Sequence, residues 1–176
     1  VLFREIWSDG TEDEVALRGE KRYVARLNRS SLPVESEECL FRSDSTYLIT
    51  GGLGGVGLRT AQWMVEQGAR HLVLLGRHRA PEAAAATLDA LRALGATIYP
   101  MQVDISQERQ LAHALDKIRR ELPPLRGVFH SAVVLDDGTL LQLNRERFLG
   151  VRPPRVKGAW NLHHLTLDDP LDYFVL

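Results

Sequence analysis

Tyr47-Leu48-Ile49-Thr50-Gly51-Gly52-Leu53-Gly54-Gly55-Val56-Gly57 decides how this chain folds. A short apolar, β-prone run ends in glycines, and an amphipathic segment from Leu58 to Gln67 follows at once. The order is strand, tight turn, helix. Gly52 to Gly57 fits G-x-G-x-x-G, and Thr50 to Gly57 fits T-G-x-x-x-G-x-G. Glycines there permit the turn, let the backbone approach a pyrophosphate and let the helix pack close to a sheet. The helix start adds unpaired N–H groups and a positive dipole end. A bare glycine pattern is also compatible with a simple turn. The strand before it and the helix after it make it a dinucleotide-binding expectation.

Working outward, the alternation continues downstream. His71 to Leu75 is a compact apolar strand ending at Gly76-Arg77. Pro81 to Leu94 reads as an alanine-rich helix with proline in its first turn, where the missing N–H costs nothing, and Gly95 ends it. Thr97 to Val103 is a third strand, and Ser106 is placed to cap a helix from about Gln107 to Glu121. Leu125 to His130 is a fourth strand, Pro154 to Leu165 a helical pattern, and Asp172 to Leu176 a fifth strand. Such alternation predicts an α/β fold: a Rossmann-type, doubly wound parallel sheet with its ligand beyond the carboxyl ends of the strands. The chain begins at Val1 rather than Met and closes on Tyr173-Phe174-Val175-Leu176, which reads as an unfinished strand. The sheet is therefore expected to be incomplete and the chain a piece of something longer.

Upstream, Val15-Ala16-Leu17 and Tyr23 to Leu27 flank the polar turn Arg18-Gly19-Glu20-Lys21, a β-hairpin signal. Strands this short do not stand alone, so they are expected to belong to a neighbouring sheet. Residues 31–45 are rich in Ser, Glu and Pro and read as a linker. The division expected is 1–30, 31–45 and 46–176.

Composition restricts function by exclusion. The 176 residues suffice for one domain with a core, and 44% apolar with 26% charged is ordinary for a soluble globular chain. A net charge of −1 gives no reason to propose nucleic acid or an anionic membrane as partner. The single cysteine, Cys39, rules out an internal disulfide and lies in a polar stretch unsuited to a nucleophile. No run approaches a membrane span and no signal peptide is visible, so a cytoplasmic setting is expected.

Around the expected cleft, Gly76-Arg77-His78-Arg79 lacks the carboxylate that would hold a ribose 2′-hydroxyl. A guanidinium at Arg77 suits a 2′-phosphate, favouring NADPH; the other reading is a solvated basic loop. Asp104 follows the third strand, where it could accept from an adenine amino group or simply favour a helix start. His130-Ser131-Ala132 ends the fourth strand, offering backbone access to a nicotinamide ribose or plain packing. Leu135-Asp136-Asp137-Gly138 reads as a solvated loop tip, and without a His/Cys cluster no metal site is expected. His163 and His164 are adjacent on a helix and do not share a face, so one is expected packed and the other exposed. Trp63, Met64 and Trp160 fit core or domain-contact positions.

Thr46 to Leu58 resembles the nucleotide loop of ketoreductase domains in modular polyketide synthases and animal-type fatty acid synthases, members of the short-chain dehydrogenase/reductase superfamily. The resemblance extends, in order, through Leu72 to Arg77, Gly127 to Ala132, Leu135 to Asp137, Gly158 to His163 and Leu171 to Leu176. It covers essentially all of residues 46–176, and Glu14 to Leu27 resembles the last hairpin of the structural subdomain preceding such a domain. It implies reduction by NADPH of a β-ketoacyl thioester carried on an acyl carrier protein, among neighbouring polyketide synthase domains. Cofactor contacts are implied for Thr50, Gly51, Gly52, Leu53, Gly54, Gly55, Val56, Gly57, Arg77, Asp104, Ile105, His130, Ser131 and Ala132. Leu135, Asp136 and Asp137 resemble the substrate-guiding motif of ketoreductases that yield a D-configured hydroxyl (B-type). The family's catalytic serine and tyrosine lie just past a strand like Tyr173 to Leu176, so the chain is expected to be inactive by itself.

One departure stands out. The family's catalytic lysine falls at Arg155, and Lys157, two positions on, is expected to point elsewhere. Either Arg155 stands in or activity is compromised. Pro153-Pro154 is expected to put Arg155 in a first helical turn, a poor place for a cation. A non-catalytic scaffold copy and a free-standing short-chain dehydrogenase are the competing readings.

Overall fold

The computed structural model describes residues 2–7, 11–12, 14–27 and 40–176, and it divides into two units, residues 1–37 and 38–176. Cys39 and most of the expected linker lie outside the described residues.

In the first unit Leu2–Ile6 forms a short helix, α1. Val15–Arg18 (β1) and Lys21–Val24 (β2) pair antiparallel, with Val15 opposite Val24 and Arg18 opposite Lys21. Gly19 takes φ +61° in the turn, a region that glycine enters freely. The second strand starts earlier than expected and stops at Val24. Among the described residues the hairpin pairs with no other strand, so the neighbouring sheet expected for it does not appear there. Arg22 forks onto Glu5 through Nε at 2.7 Å and Nη2 at 2.8 Å.

The second unit holds a five-stranded sheet: Thr46–Thr50 (β3), His71–Gly76 (β4), Thr97–Gln102 (β5), Leu125–His130 (β6) and Tyr173–Val175 (β7). The order is β5-β4-β3-β6-β7, every pair parallel. Strand β3 is central and buried throughout, as an apolar run covered on both faces must be. Period-two alternation divides its side chains. Tyr47 and Ile49 join a core with Leu72, Leu74 and the helices Gly55–Glu66 (α2) and Ala85–Ala93 (α3). Leu48, Val73, Leu75 and Val128 face the opposite core, against Glu108–Glu121 (α4) and Ala159–Leu165. Helices on both faces make the fold the doubly wound Rossmann type that the alternation predicts. The chain from Leu40 already packs with the sheet. Phe41 is buried and sets its ring edge-on to Tyr47, with centroids 5.0 Å apart.

Three local expectations need correction. Ser106 does not cap α4, whose N-cap is Gln107 with no side-chain bond. Instead the Ser106 N–H and hydroxyl both donate to Asp104 Oδ1, at 2.9 and 2.7 Å, a local side-chain turn that takes the place of the cap. The helix expected to start at Pro154 starts earlier. Asn144 accepts from the Arg147 N–H at 2.9 Å and opens a helix over Arg145–Arg152 (α5). A π-helical turn, Pro153–Gly158, then leads into Ala159–Leu165 (α6). The wider π turn absorbs two prolines whose rings and missing N–H groups an α-helix would not tolerate. Arg155 is therefore mid-run, and the dipole penalty of a first turn does not apply to it. Finally, His163 and His164 are both exposed; each lies against the ring of Trp160.

Candidate functional site

Where the parallel strands end, the connecting chains splay apart and leave a cavity of about 500 Å³. Its floor is the glycine turn. Gly51 sits at φ +64°, and a Cβ there would come within 2.8 Å of the Ser131 carbonyl oxygen. Only glycine lets the ends of β3 and β6 approach so closely. Gly52 lies outside the cavity lining, and a Cβ on it would press into Ile49 and Leu74 at 2.8 and 2.9 Å. Gly55 differs: it opens α2, lines the cavity, and a Cβ there would meet nothing within 4 Å. The N-cap Gly54 makes no side-chain bond and the first turn of α2 has no acidic residue. The N–H groups of a twelve-residue helix thus open onto the cavity with no competing carboxylate.

The remaining walls come from the other strand ends. Arg77, His78 and Arg79 follow β4 and line the same cavity, all three exposed. Asp104 and Ile105 follow β5; Asp104 Oδ1 is taken by Ser106, and its N–H donates to Gln110 Oε1 at 3.1 Å. Ser131 and Ala132 follow β6, with the Ser131 hydroxyl donating to the Thr50 carbonyl at 2.7 Å. These residues fit a dinucleotide. The helix start offers unpaired N–H groups, the corner at Arg77 and Arg79 offers two guanidinium groups, and the rim at Asp104 offers a carboxylate acceptor.

An adjoining pocket of about 300 Å³ shares Ser131, Ala132 and Val133, and adds His130, Arg155, Ala159 and Leu176. The structure thus brings Arg155 beside the end of β6, while Lys157 lines neither space. Two contacts dock the π turn and the start of α6 here. Gly158 packs on Ile105, where a Cβ would stand 2.6 Å from its terminal carbon, and the Asn161 amide donates to the Ile105 carbonyl at 2.9 Å.

His130 lines the smaller pocket and is bonded to Thr50 of the main cavity. Its Nδ1 lies 2.6 Å from Thr50 Oγ1, which also accepts from the Ala132 N–H at 3.3 Å. Burial holds the imidazole below its ordinary pKa, outweighing the bond to the Pro154 carbonyl that favours the charged form. In the neutral tautomer that donates to the Pro154 carbonyl, the ring accepts from the Thr50 hydroxyl at Nδ1.

Leu135, Asp136 and Asp137 lie beyond both spaces, on an exposed loop whose first residues, Val133 and Val134, line the main cavity. The residue that sequence reasoning missed is Arg147. Its guanidinium reaches Asp136 Oδ1 from Nε at 2.9 Å and Nη2 at 2.5 Å, and holds that carboxyl below the usual carboxylate range. No local pattern announces a pairing across eleven residues. Among the described residues no group of three or more His, Cys, Asp or Glu could hold a metal. No helix there is long and apolar enough to cross a membrane.

Residues 45–176 match the KR domain family. Reducing polyketide synthase PKS1 of Cochliobolus heterostrophus is 45% identical over 146 residues, 82% of this chain and 6% of that protein. The 5-methyl-1-naphthoate synthase of Streptomyces sahachiroi is 38% identical over 179 residues, 94% of this chain and 10% of that protein. The chain therefore spans a tenth or less of these curated relatives. A solved A1-type ketoreductase matches with a TM-score of 0.76 at 35% identity, over 93% of this chain and 35% of that one. The glycine turn, the strand order and these matches agree: the chain belongs to the KR family, the ketoreductase domains of polyketide synthases.

Proposed function

We propose that residues 46–176 are the NADPH-holding part of a ketoreductase that reduces a β-ketoacyl thioester, carried on an acyl carrier protein, to the β-hydroxyacyl thioester. On this reading residues 1–30 end a structural subdomain, 31–45 link it to the cofactor half, and the protein works in the cytoplasm within a multidomain synthase. The observation that carries the cofactor assignment is the corner at β4. Arg77, His78 and Arg79 line the cavity opposite the start of α2, and no carboxylate stands among them. A guanidinium binds a 2′-phosphate through paired charge-assisted hydrogen bonds, whereas NADH offers it only a hydroxyl.

The bound cofactor supplies the hydride. The chain's own residues hold and orient: α2 takes the pyrophosphate, Arg77 the 2′-phosphate, Asp104 the adenine edge, and Ser131 and Ala132 the nicotinamide ribose. Leu135, Asp136 and Asp137 guide the acyl chain so that the hydroxyl is D-configured. The resemblance puts the family's serine and tyrosine past a strand like β7, so the chain by itself is expected to bind cofactor without turnover.

Fluorescence titration of the chain with each cofactor tests the reading. NADPH is expected to bind at least tenfold more tightly than NADH, about 1.4 kcal/mol. Arg77→Ala should erase most of that difference. Equal dissociation constants in the unmutated chain would refute the assignment.

A second reading, a ketoreductase-like scaffold that binds cofactor but does not reduce, is favoured by one observation: Arg155 stands where the family's lysine would be.

A further inference from the structure

From Val133 at the cavity to Gly138, just before a capped turn at Thr139–Gln142, the chain has little to hold it. Among the described residues no backbone N–H from Val133 to Gly138 reaches a backbone carbonyl. Most of these side chains are exposed, so burial does not fix the loop either. A loop with neither ladder bonds nor core contacts samples many conformations unless something polar ties it down.

Arg147, three residues into α5, is that tie. Besides its two bonds to Asp136 Oδ1, Nη2 donates to the Asp137 carbonyl at 2.7 Å and lies 3.4 Å from the Asp136 carbonyl. Nη1 donates to the Gln142 carbonyl at 3.2 Å. One planar fork thus joins the middle of the loop to its far end. Gly138 makes room for it: a Cβ there would stand 2.7 Å from Nη1. Lysine, with one compact ammonium, has no geometry for this set of acceptors. The far anchor is α5 itself, fixed by the Asn144 cap.

We infer that Arg147 is a positioning residue that fixes the loop Leu135 to Gly138 and thereby sets which face of the ketone the cofactor meets. The inference rests on the ketoreductase reading above. It assigns the guiding role to the loop's conformation, held from α5, rather than to the Asp136 carboxylate acting freely on substrate, since that carboxylate is already engaged by Arg147.

The experiment uses the intact synthase carrying this chain, a diketide thioester and chiral chromatography of the hydroxy product, with NADPH affinity measured in parallel. Arg147→Ala is expected to raise the share of the minor enantiomer at least tenfold while the NADPH dissociation constant stays within twofold. Asp136→Asn keeps the shape but weakens the clamp, so it should move the ratio the same way by less. Arg147→Lys should restore the ratio only in part. An unchanged ratio in Arg147→Ala with NADPH binding intact overturns the inference. So does a changed ratio accompanied by an equal loss of cofactor affinity, which marks general unfolding. Should Arg147→Ala fail to fold, Asp136→Asn with unchanged enantiomer ratio overturns it equally. A parent enzyme giving the L-configured product refutes the B-type assignment alone; the clamp is still judged by whether the variants mix the products.

Discussion

The two rims of the cleft are built by opposite means. The rim at β3 and β4 is a matter of backbone packed on backbone: Gly51, Gly52 and Gly57 sit where a Cβ would strike main-chain atoms. The rim from Val133 to Gly158 is largely exposed chain, buried only at Pro154 and Gly158, and held by side-chain polar bonds, one capped helix and a π turn. The first can change only by disrupting the fold. The second can be re-tuned one side chain at a time, so it is the place to look for what distinguishes one ketoreductase from another.

The largest effect expected from this contrast is at Gly57. A Cβ there would overlap the Gly51 carbonyl oxygen and stand 2.6 Å from Gly52 Cα, both main-chain atoms that cannot swing away. Gly57→Ala is expected to lower the unfolding free energy by about 3 kcal/mol in a denaturant titration. Gly55→Ala separates packing from binding, because nothing lies within 4 Å of the added methyl. Its stability should hold or rise slightly, since alanine favours a helix, while NADPH affinity falls as the methyl enters the cleft. If both variants unfolded alike, the distinction between packing and phosphate-facing glycines would be lost.

Legibility in the sequence follows the same division. Strand, glycine turn and helix at Tyr47 to Gln67 were readable because each signal is local and the signals agree. The parallel sheet followed from alternation, though not its strand order, and the basic corner at Arg77 from its distance past the glycines. What was misread depends on competition or on contacts far along the chain. Ser106 has the chemistry of a cap, but its hydroxyl is turned to Asp104 instead. Pro153-Pro154 has the form of a helix start, yet Asn144 had already started one. Arg147 carries no motif at all; its role exists only once eleven residues fold back on it.

On the re-tunable rim, Arg155 comes next. Being mid-run rather than at a helix start, it faces the His130 pocket without a dipole penalty. Its guanidinium keeps a positive charge beside the expected tyrosine, but near neutral pH it does not exchange protons. In the intact synthase Arg155→Lys is expected to raise kcat about tenfold, roughly 1.4 kcal/mol of transition-state stabilisation. NADPH affinity should not move. Lys157→Ala should change little, since Lys157 lines neither space. Abolished turnover in Lys157→Ala, with Arg155→Lys silent, would transfer the catalytic role to Lys157.

The smallest expected effect is at the seam between the rims, where His130 bridges Thr50 and Pro154. Because burial lowers its pKa in the folded chain, the unfolded chain takes up a proton at a higher pH than the folded one. The unfolded state therefore binds more protons in a window just below pH 6.5, and stability must fall as pH drops through it. One such group contributes a slope of at most about 1.4 kcal/mol per pH unit. Asp136 and Asp172, held low by Arg147 and Arg126, act in a separate window: their stabilisation is lost only as pH falls below the ordinary value of 3.8. Unfolding of the chain measured from pH 7.5 to 5 should show the His130 slope, and His130→Gln, which cannot charge, should flatten it. The other five histidines are common to both proteins, so the difference between the two curves reads His130. A variant as steep as its parent would mean that the ring is not held neutral, and the bond from Thr50 to Nδ1 would have to be redrawn with His130 as donor.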